Sequence, residues 1–186
     1  LCHPTWSVFI ISLCRADDTN RAPKFFEALK VLGADGNIGN MDDGAEQLPL
    51  DENLVQASIL DLLPHKYFDI IITHNPNGEY TKHLRHEEVS KAVIKLWHAG
   101  TISATELWTF AYEDGGKEYY PKPRLTASVY LRLPKRVWTK KYNIITETYG
   151  YEKSGFEAQT TPKSEAFWKF SNSYEARQWL KTGGYI

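Results

Sequence analysis

The stretch THNPNGEYTKHLRHEEV, residues 73–89, carries two histidines, His83 and His86, three positions apart. An apolar segment precedes them and a helical pattern follows, so the pair falls where a strand gives way to a helix. A neutral imidazole is a common zinc ligand, and an imidazolium can donate a proton during catalysis. A catalytic zinc normally has three protein ligands, so the pair by itself leaves metal binding, catalysis and a structural role open.

The segments around this pair alternate between strand and helix patterns. Short apolar runs predict strands at 8–13, 38–41, 67–73 and 107–112. Apolar periodicity predicts helices over about 23–32, 52–63, 84–97, 136–149 and 173–180. This order predicts an α/β fold, Rossmann-like, with a mostly parallel sheet and helices on both faces. The chain is expected to form a single domain over 1–186, with 113–186 as an extension packed on it.

The expected position of the histidines favours a functional role. Sites in open α/β sheets form outside the carboxyl ends of the strands, and His74 leaves the end of the strand at 67–73. His83 and His86 fall on the same helical face as Val89 and Val93, so both should point over the sheet. His74 could orient a loop of the pocket or simply end the strand.

The acidic residues beside the pair have a simpler interpretation. Glu87 and Glu88 fall in the first turn of the helix, where the helix dipole favours negative charge. They are therefore predicted to stabilise the helix.

Composition excludes several classes of function. The 22 basic and 23 acidic residues leave a formal net charge of −1, which provides no electrostatic reason for binding nucleic acid or an anionic membrane. No apolar run reaches the roughly 20 residues that span a bilayer. The two cysteines are too few for a disulfide framework, so a reducing, cytoplasmic location is predicted. The oligomeric state stays open.

Several segments together resemble the PIG-L/LmbE-like deacetylases. FDIIITH at 68–74, GEY at 78–80 and HLRH at 83–86 resemble the second conserved block of that family. Upstream, Arg21, Glu27 and the Leu-Gly pair at 32–33 resemble the family's "R…E…LG" helix, and DDG at 42–44 resembles the turn after it. The similarity covers roughly residues 6–112. It departs at Lys82, where the family usually has Gly, and at 84–85, where Pro-Asp is common.

The resemblance implies a zinc-dependent hydrolase that removes an acetyl group from an N-acetylated amino sugar or a related conjugate. By position, it implies that His86 is a zinc ligand. It also implies that His83 is the catalytic histidine that polarises the substrate carbonyl or protonates the leaving amine. Zinc would lower the pKa of bound water to about 7 and polarise the amide carbonyl.

Four other residues are candidates for substrate binding near the mouth of the pocket. Arg15 and Arg21 could bind a sugar hydroxyl, a carboxylate or a phosphate, with the alternative that they are surface cations. Asp18 follows the first strand and could contact substrate or cap a turn. Tyr80 could stack on a sugar ring or pack in the core.

The family's first block, His-Pro-Asp-Asp-Glu, has no counterpart in the sequence. His-Pro at 3–4 and Asp-Asp at 17–18 are separated by a strand, so they cannot form one compact ligand turn. The expectation is therefore that an upstream strand, ligand turn and helix are missing and that the metal site is incomplete. The alternative is a non-catalytic sugar- or ligand-binding protein on the same fold. A nucleotide-binding domain is disfavoured, because no glycine-rich loop follows the first strand.

Overall fold

The computed structural model describes residues 5–79, 83–116 and 118–182. Its strands are β1 (Phe9–Cys14), β2 (Asp35–Met41), β3 (Tyr67–Thr73), β4 (Ser103–Phe110), β5 (Tyr112–Glu113), β6 (Lys122–Pro123), β7 (Val129–Arg132) and β8 (Ser164–Phe170). Its α-helices are α1 (Arg21–Leu32), α2 (Glu52–Leu62), α3 (Leu84–His98), α4 (Lys135–Asn143), α5 (Phe156–Gln159) and α6 (Ser173–Lys181). A π-helical turn, Ile144–Thr148, continues α4. The mixed α/β class is confirmed, and each predicted strand and helix overlaps an observed one.

The chain divides into two compact units. The first consists of the residues up to 43 together with 132–163, and the second of 44–131 together with the residues from 164 onward. The predicted extension, 113–186, is therefore shared between the units. Residues 132–163 belong to the first unit, and the rest of the extension belongs to the second.

The first unit is built on the parallel pair β1 and β2. Their register runs from Phe9 opposite Asp35 to Cys14 opposite Met41. The turn between α1 and β2 depends on glycine, because Gly33 has a left-handed φ of 68°. A side chain at position 36 would place its Cβ 2.2 Å from the Ile10 carbonyl oxygen, so β2 can approach β1 only with glycine there.

The second unit contains a four-stranded sheet in the order β3–β4–β8–β7. β3 and β4 are parallel, with Thr73 opposite Thr109 at their carboxyl ends. β8 joins β4 in the antiparallel sense, from Leu107 opposite Phe170 to Phe110 opposite Phe167. The sheet is therefore mixed, in contrast to the predicted mostly parallel arrangement, because the aromatic segment near the end of the chain, which was not predicted as a strand, pairs beside β4.

Helix α3 occupies the centre of the second unit. It contacts β3 and β4 in the sheet and the helices α2 and α6. Asp51 caps the start of helix α2, because its side chain accepts hydrogen bonds from the backbone N–H groups of Asn53 and Leu54. The helix ends at Leu62, before Pro64. The core between these elements consists of fully buried branched side chains: Val55, Ile59, Ile94, Ile102 and Leu107. None of the helices in the described part of the chain is long and apolar enough to cross a bilayer.

We expect Ile94→Ala to lower the free energy of unfolding by about 2–5 kcal/mol, because it leaves a cavity beneath α3. Ile94 has no exposed surface. Leu125→Ala is the matched control, since Leu125 is 79% exposed and should change stability by less than about 0.5 kcal/mol. Denaturant unfolding measures both. Equal stabilities of the two variants would contradict the placement of α3 at the core.

Candidate metal and catalytic site

The loop after β3 ties together the carboxyl ends of the two parallel strands. The Asn75 side-chain amide donates to the Phe110 carbonyl oxygen at the end of β4, over 2.8 Å. The Asn75 side-chain oxygen accepts from the backbone N–H of Asn77 at 2.9 Å, and the Asn75 carbonyl accepts from Gly78 at 3.0 Å. The loop is therefore a tight turn anchored on β4, and it returns the chain toward the start of α3.

Glu79 is the buried acidic residue of this loop, with only 3% of its surface exposed. Its Oε1 atom accepts a hydrogen bond from Nδ1 of His74, and its Oε2 atom accepts from the backbone N–H of Asn75 at 3.0 Å. Nδ1 of His86 lies 3.2 Å from the same Oε1 atom. The Glu79 carboxylate therefore contacts two histidines, His74 directly after β3 and His86 in the first turn of α3.

The charge state of Glu79 follows from these contacts. Burial by itself raises the pKa of the Glu79 carboxyl, because it disfavours the charged form. The contacts with the His74 and His86 rings outweigh burial and lower the pKa from 4.5 to about 2. Glu79 is therefore ionised at neutral pH.

Three imidazole rings form a stack beside Glu79. The rings of His74 and His86 are almost parallel, with centroids 3.9 Å apart and an angle of 6° between their planes. The ring of His83 lies on His86, with centroids 4.7 Å apart and an angle of 27°. The two residues predicted from the sequence are thus brought together, and His74 extends the stack.

Helix α3 holds this stack in position. Its first residue follows His83, whose backbone is extended and whose carbonyl accepts the N–H of Glu87 at 3.2 Å. Ser90, one turn after His86, is fully buried and donates its hydroxyl to the His74 carbonyl over 2.6 Å. The side-chain hydroxyl of Ser90 therefore links α3 directly to the end of β3.

A second buried charged group stabilises the same helical turn. Arg85 is 4% exposed, forms an ion pair with Glu88, and donates to the Leu48 carbonyl at 2.6 Å. Glu88 also accepts the backbone N–H of Leu50 at 2.8 Å. Only Glu87 of the two predicted glutamates lies in the first turn of α3. Glu88 instead acts with Arg85 to attach the segment before α2 to the start of α3.

An open cavity of about 380 Å³ lies beside the stack, lined by Gln47, His83, Leu84 and Glu87. Gln47 has a left-handed φ of 46°, which is uncommon for a residue with a side chain. The cavity therefore combines an imidazole, an amide and a carboxylate within reach of a small polar molecule.

The cluster of His74, Glu79 and His86 has the composition of a metal site. One potential ligand atom from each residue lies within 4.8 Å of the others, and no other such group of three is found among the described residues. Imidazole nitrogens and carboxylate oxygens are both ligands of zinc and of other divalent metals. By the type and proximity of its side chains this group could hold a metal ion, and its composition is not specific to zinc.

Three of the predicted substrate-binding residues lie together in the first unit. Arg15 has a φ of 79° and donates from Nε to a carboxylate oxygen of Asp43 at 3.0 Å. Asp18 accepts the backbone N–H groups of Asn20 and Arg21, both at 2.9 Å, which lowers the pKa of its carboxyl.

The Arg21 guanidinium lies 4.8 Å from the ring centroid of Tyr151. These contacts account for the local structure of the loop after β1, and the predicted role in substrate binding stays a prediction. The fourth candidate, Tyr80, lies outside the described residues.

Sequence reasoning did not assign Glu79 and left His74 ambiguous. The available signal was the position of both residues directly after the clearest strand and before the histidine pair. That signal is weak, because the contact between them depends on the path of the tight turn at 75–78. Comparison of the chain with protein-family models, curated proteins and solved structures gave no match.

We expect Arg85→Met to lower the free energy of unfolding by about 3–5 kcal/mol, because it removes the buried guanidinium and leaves Glu88, whose side chain is only 13% exposed, without its partner. Lys91→Met on the same helix is the control, since it removes a partly exposed ion pair with Glu87 and should cost less than about 1 kcal/mol. Thermal or denaturant unfolding measures the stability of the two variants relative to the wild type. A cost for Arg85→Met no larger than that of the control would show that this pair does not anchor α3.

Proposed function

We propose that this chain forms the histidine side of the zinc centre of an N-deacetylase, on a Rossmann-like α/β fold of the LmbE type. The proposed reaction removes an acetyl group from an N-acetylated amino sugar or a related conjugate. The observation that supports it best is the contact of His86 with both His83 and the buried carboxylate of Glu79 beyond the carboxyl end of β3. We also infer a cytoplasmic protein, in keeping with its few cysteines.

The residues present fit a zinc ion. Nδ1 of His86 is buried and makes no hydrogen bond, although it lies 3.2 Å from a carboxylate oxygen. The His86 side chain is nevertheless 32% exposed, so it is partly accessible from outside. A partly accessible imidazole beside an anionic group is a suitable ligand for a divalent cation.

The chemistry of the proposed reaction is divided between zinc and the chain. When bound, zinc polarises the amide carbonyl and lowers the pKa of its bound water to about 7. His83 lines the cavity, where its imidazole can donate a hydrogen bond to the carbonyl oxygen or a proton to the leaving amine. Gln47 and Glu87 line the same cavity and can bind the hydroxyl groups of a sugar.

Glu79 is not assigned as the base that takes the proton of the attacking water. Both of its oxygens already accept hydrogen bonds, from His74 and from the backbone of Asn75, and its carboxylate is buried. The base and the remaining zinc ligands are therefore assigned to carboxylates or histidines outside this cluster.

Zinc binding tests the role of His86. We expect His86→Ala to weaken zinc binding by more than about 100-fold, since it removes a direct ligand, whereas the loss of an outer partner costs about 10–100-fold. His98→Ala, at the exposed end of the same helix, should leave the affinity within about twofold of the wild type. Competition with a chromogenic chelator measures the zinc affinity of the wild type and of both variants. Equal affinity of the His86→Ala variant and the wild type would contradict the proposed metal centre.

Acetate release tests the reaction itself. With zinc bound and an N-acetylated glucosamine conjugate as substrate, we expect His83→Ala to lower kcat by about 10²–10⁴-fold without changing zinc affinity. Saturable sugar binding without acetate release by the wild type would instead support the non-catalytic alternative on the same fold.

A further inference from the structure

Glu79 is the one carboxylate in the described residues that contacts both His74 and His86. We infer that Glu79 is a positioning residue: its carboxylate keeps the proton on Nδ1 of both rings, so that Nε2 of His86 is the nitrogen presented to the metal. It follows that neither Glu79 nor His74 is a ligand of that ion. This inference rests on the proposed function and specifies how the chain orients its zinc-binding histidine.

The stacking of the rings argues against a shared ion. A metal ion binds an imidazole nitrogen close to the plane of the ring, along the direction of the lone pair. The rings of His74 and His86 lie 3.9 Å apart in planes only 6° from parallel. An ion in the plane of one ring is therefore well outside the plane of the other, and the two histidines cannot both bind it in this arrangement.

The same geometry explains why Glu79 contacts the two rings differently. Its Oε1 atom accepts a hydrogen bond from His74 and so lies near the plane of that ring. Because the rings are stacked, Oε1 lies out of the plane of His86, where Nδ1 makes no hydrogen bond despite the 3.2 Å separation.

The carboxylate also determines which nitrogen of each ring carries the proton. A lone pair on Nδ1 of either ring would lie beside an anionic oxygen and be repelled by it, whereas an N–H group at that position is attracted. The proton is therefore held at Nδ1 and the lone pair is placed on Nε2. This is the arrangement in which a carboxylate behind a histidine orients it and strengthens its binding to metal.

Hydrogen bonds connect Glu79 and its neighbours to the surrounding strands and helix. Its second oxygen accepts the N–H of Asn75, and the Asn75 side chain is held by the Phe110 carbonyl. His74 is held at its carbonyl by Ser90. The face of the His74 ring then supports the ring of His86, so His74 contributes by packing and by its hydrogen bond to the carboxylate.

Imidazole ¹⁵N NMR on the metal-free wild-type protein tests the inference without any substitution. Near neutral pH, we expect both His74 and His86 to show the tautomer protonated at Nδ1. In Glu79→Gln we expect His86 to shift toward protonation at Nε2. Glu52→Gln, which removes an exposed carboxylate of the same unit, should leave both rings unchanged. A wild-type His86 protonated at Nε2 would overturn the inference.

Zinc affinity gives a second, independent readout. Glu79→Gln should weaken zinc binding about 10–100-fold, the usual effect of losing a carboxylate behind a metal-binding histidine. His74→Asn keeps a side-chain N–H for Glu79 but removes the imidazole, so the zinc affinity should stay within about tenfold of the wild type. A loss with His74→Asn as large as that with His86→Ala would show that His74 is a ligand and overturn the inference.

The outcomes separate this inference from the proposed function. Nδ1 protonation in a wild-type protein that binds no zinc would support the role of Glu79 and contradict the deacetylase. Zinc binding through His86 with the opposite tautomer would support the metal centre and contradict the role of Glu79.

Discussion

An ionised carboxylate that is almost completely removed from water has to be surrounded by hydrogen-bond donors, or its burial costs several kcal/mol. Glu79 meets this requirement with Nδ1 of His74 and the backbone N–H of Asn75. The loop between β3 and α3 can supply both donors only if it turns tightly at 75–78 and keeps His74 folded back over it. The position of the His74 ring therefore follows from the need to compensate the charge of Glu79. The His86 ring then stacks on the His74 ring, which its hydrogen bond to Glu79 already holds.

The start of α3 is held from a second direction by the ion pair between the buried Arg85 and the largely covered Glu88. This pair uses its remaining hydrogen-bonding capacity on backbone groups of Leu48 and Leu50, so the segment before α2 is attached to the same turn. Apolar burial provides the stability of the unit, while the two charged networks specify where α3 begins. Such specificity matters for a site, because a metal ligand or a catalytic histidine loses its effect when it is displaced by about an ångström.

The proposed chemistry follows from this division of roles. His83 lines the open cavity, where a substrate could enter, whereas Glu79 lies behind the rings and is protected from water. A carboxylate in that position serves better to orient an imidazole than to accept a proton from a water molecule, because its lone pairs are already occupied. His83 and His86 are the two residues that resemble the deacetylase motif. In the proposed arrangement, Glu79 supports them by hydrogen bonding and His74 by packing.

Local patterns in the sequence determined the type and order of the elements, since apolar periodicity and helix-ending residues act over a few positions. They also placed His86 in the first turn of α3, whereas His83, which was predicted on the same helical face, has an extended backbone just before the helix. Tertiary structure alone decided that β8 pairs antiparallel with β4, that Arg85 is buried, and that Glu79 contacts both His74 and His86. These features depend on segments distant in sequence or on the path of a loop, and a buried charge is stable only where the fold provides its partners.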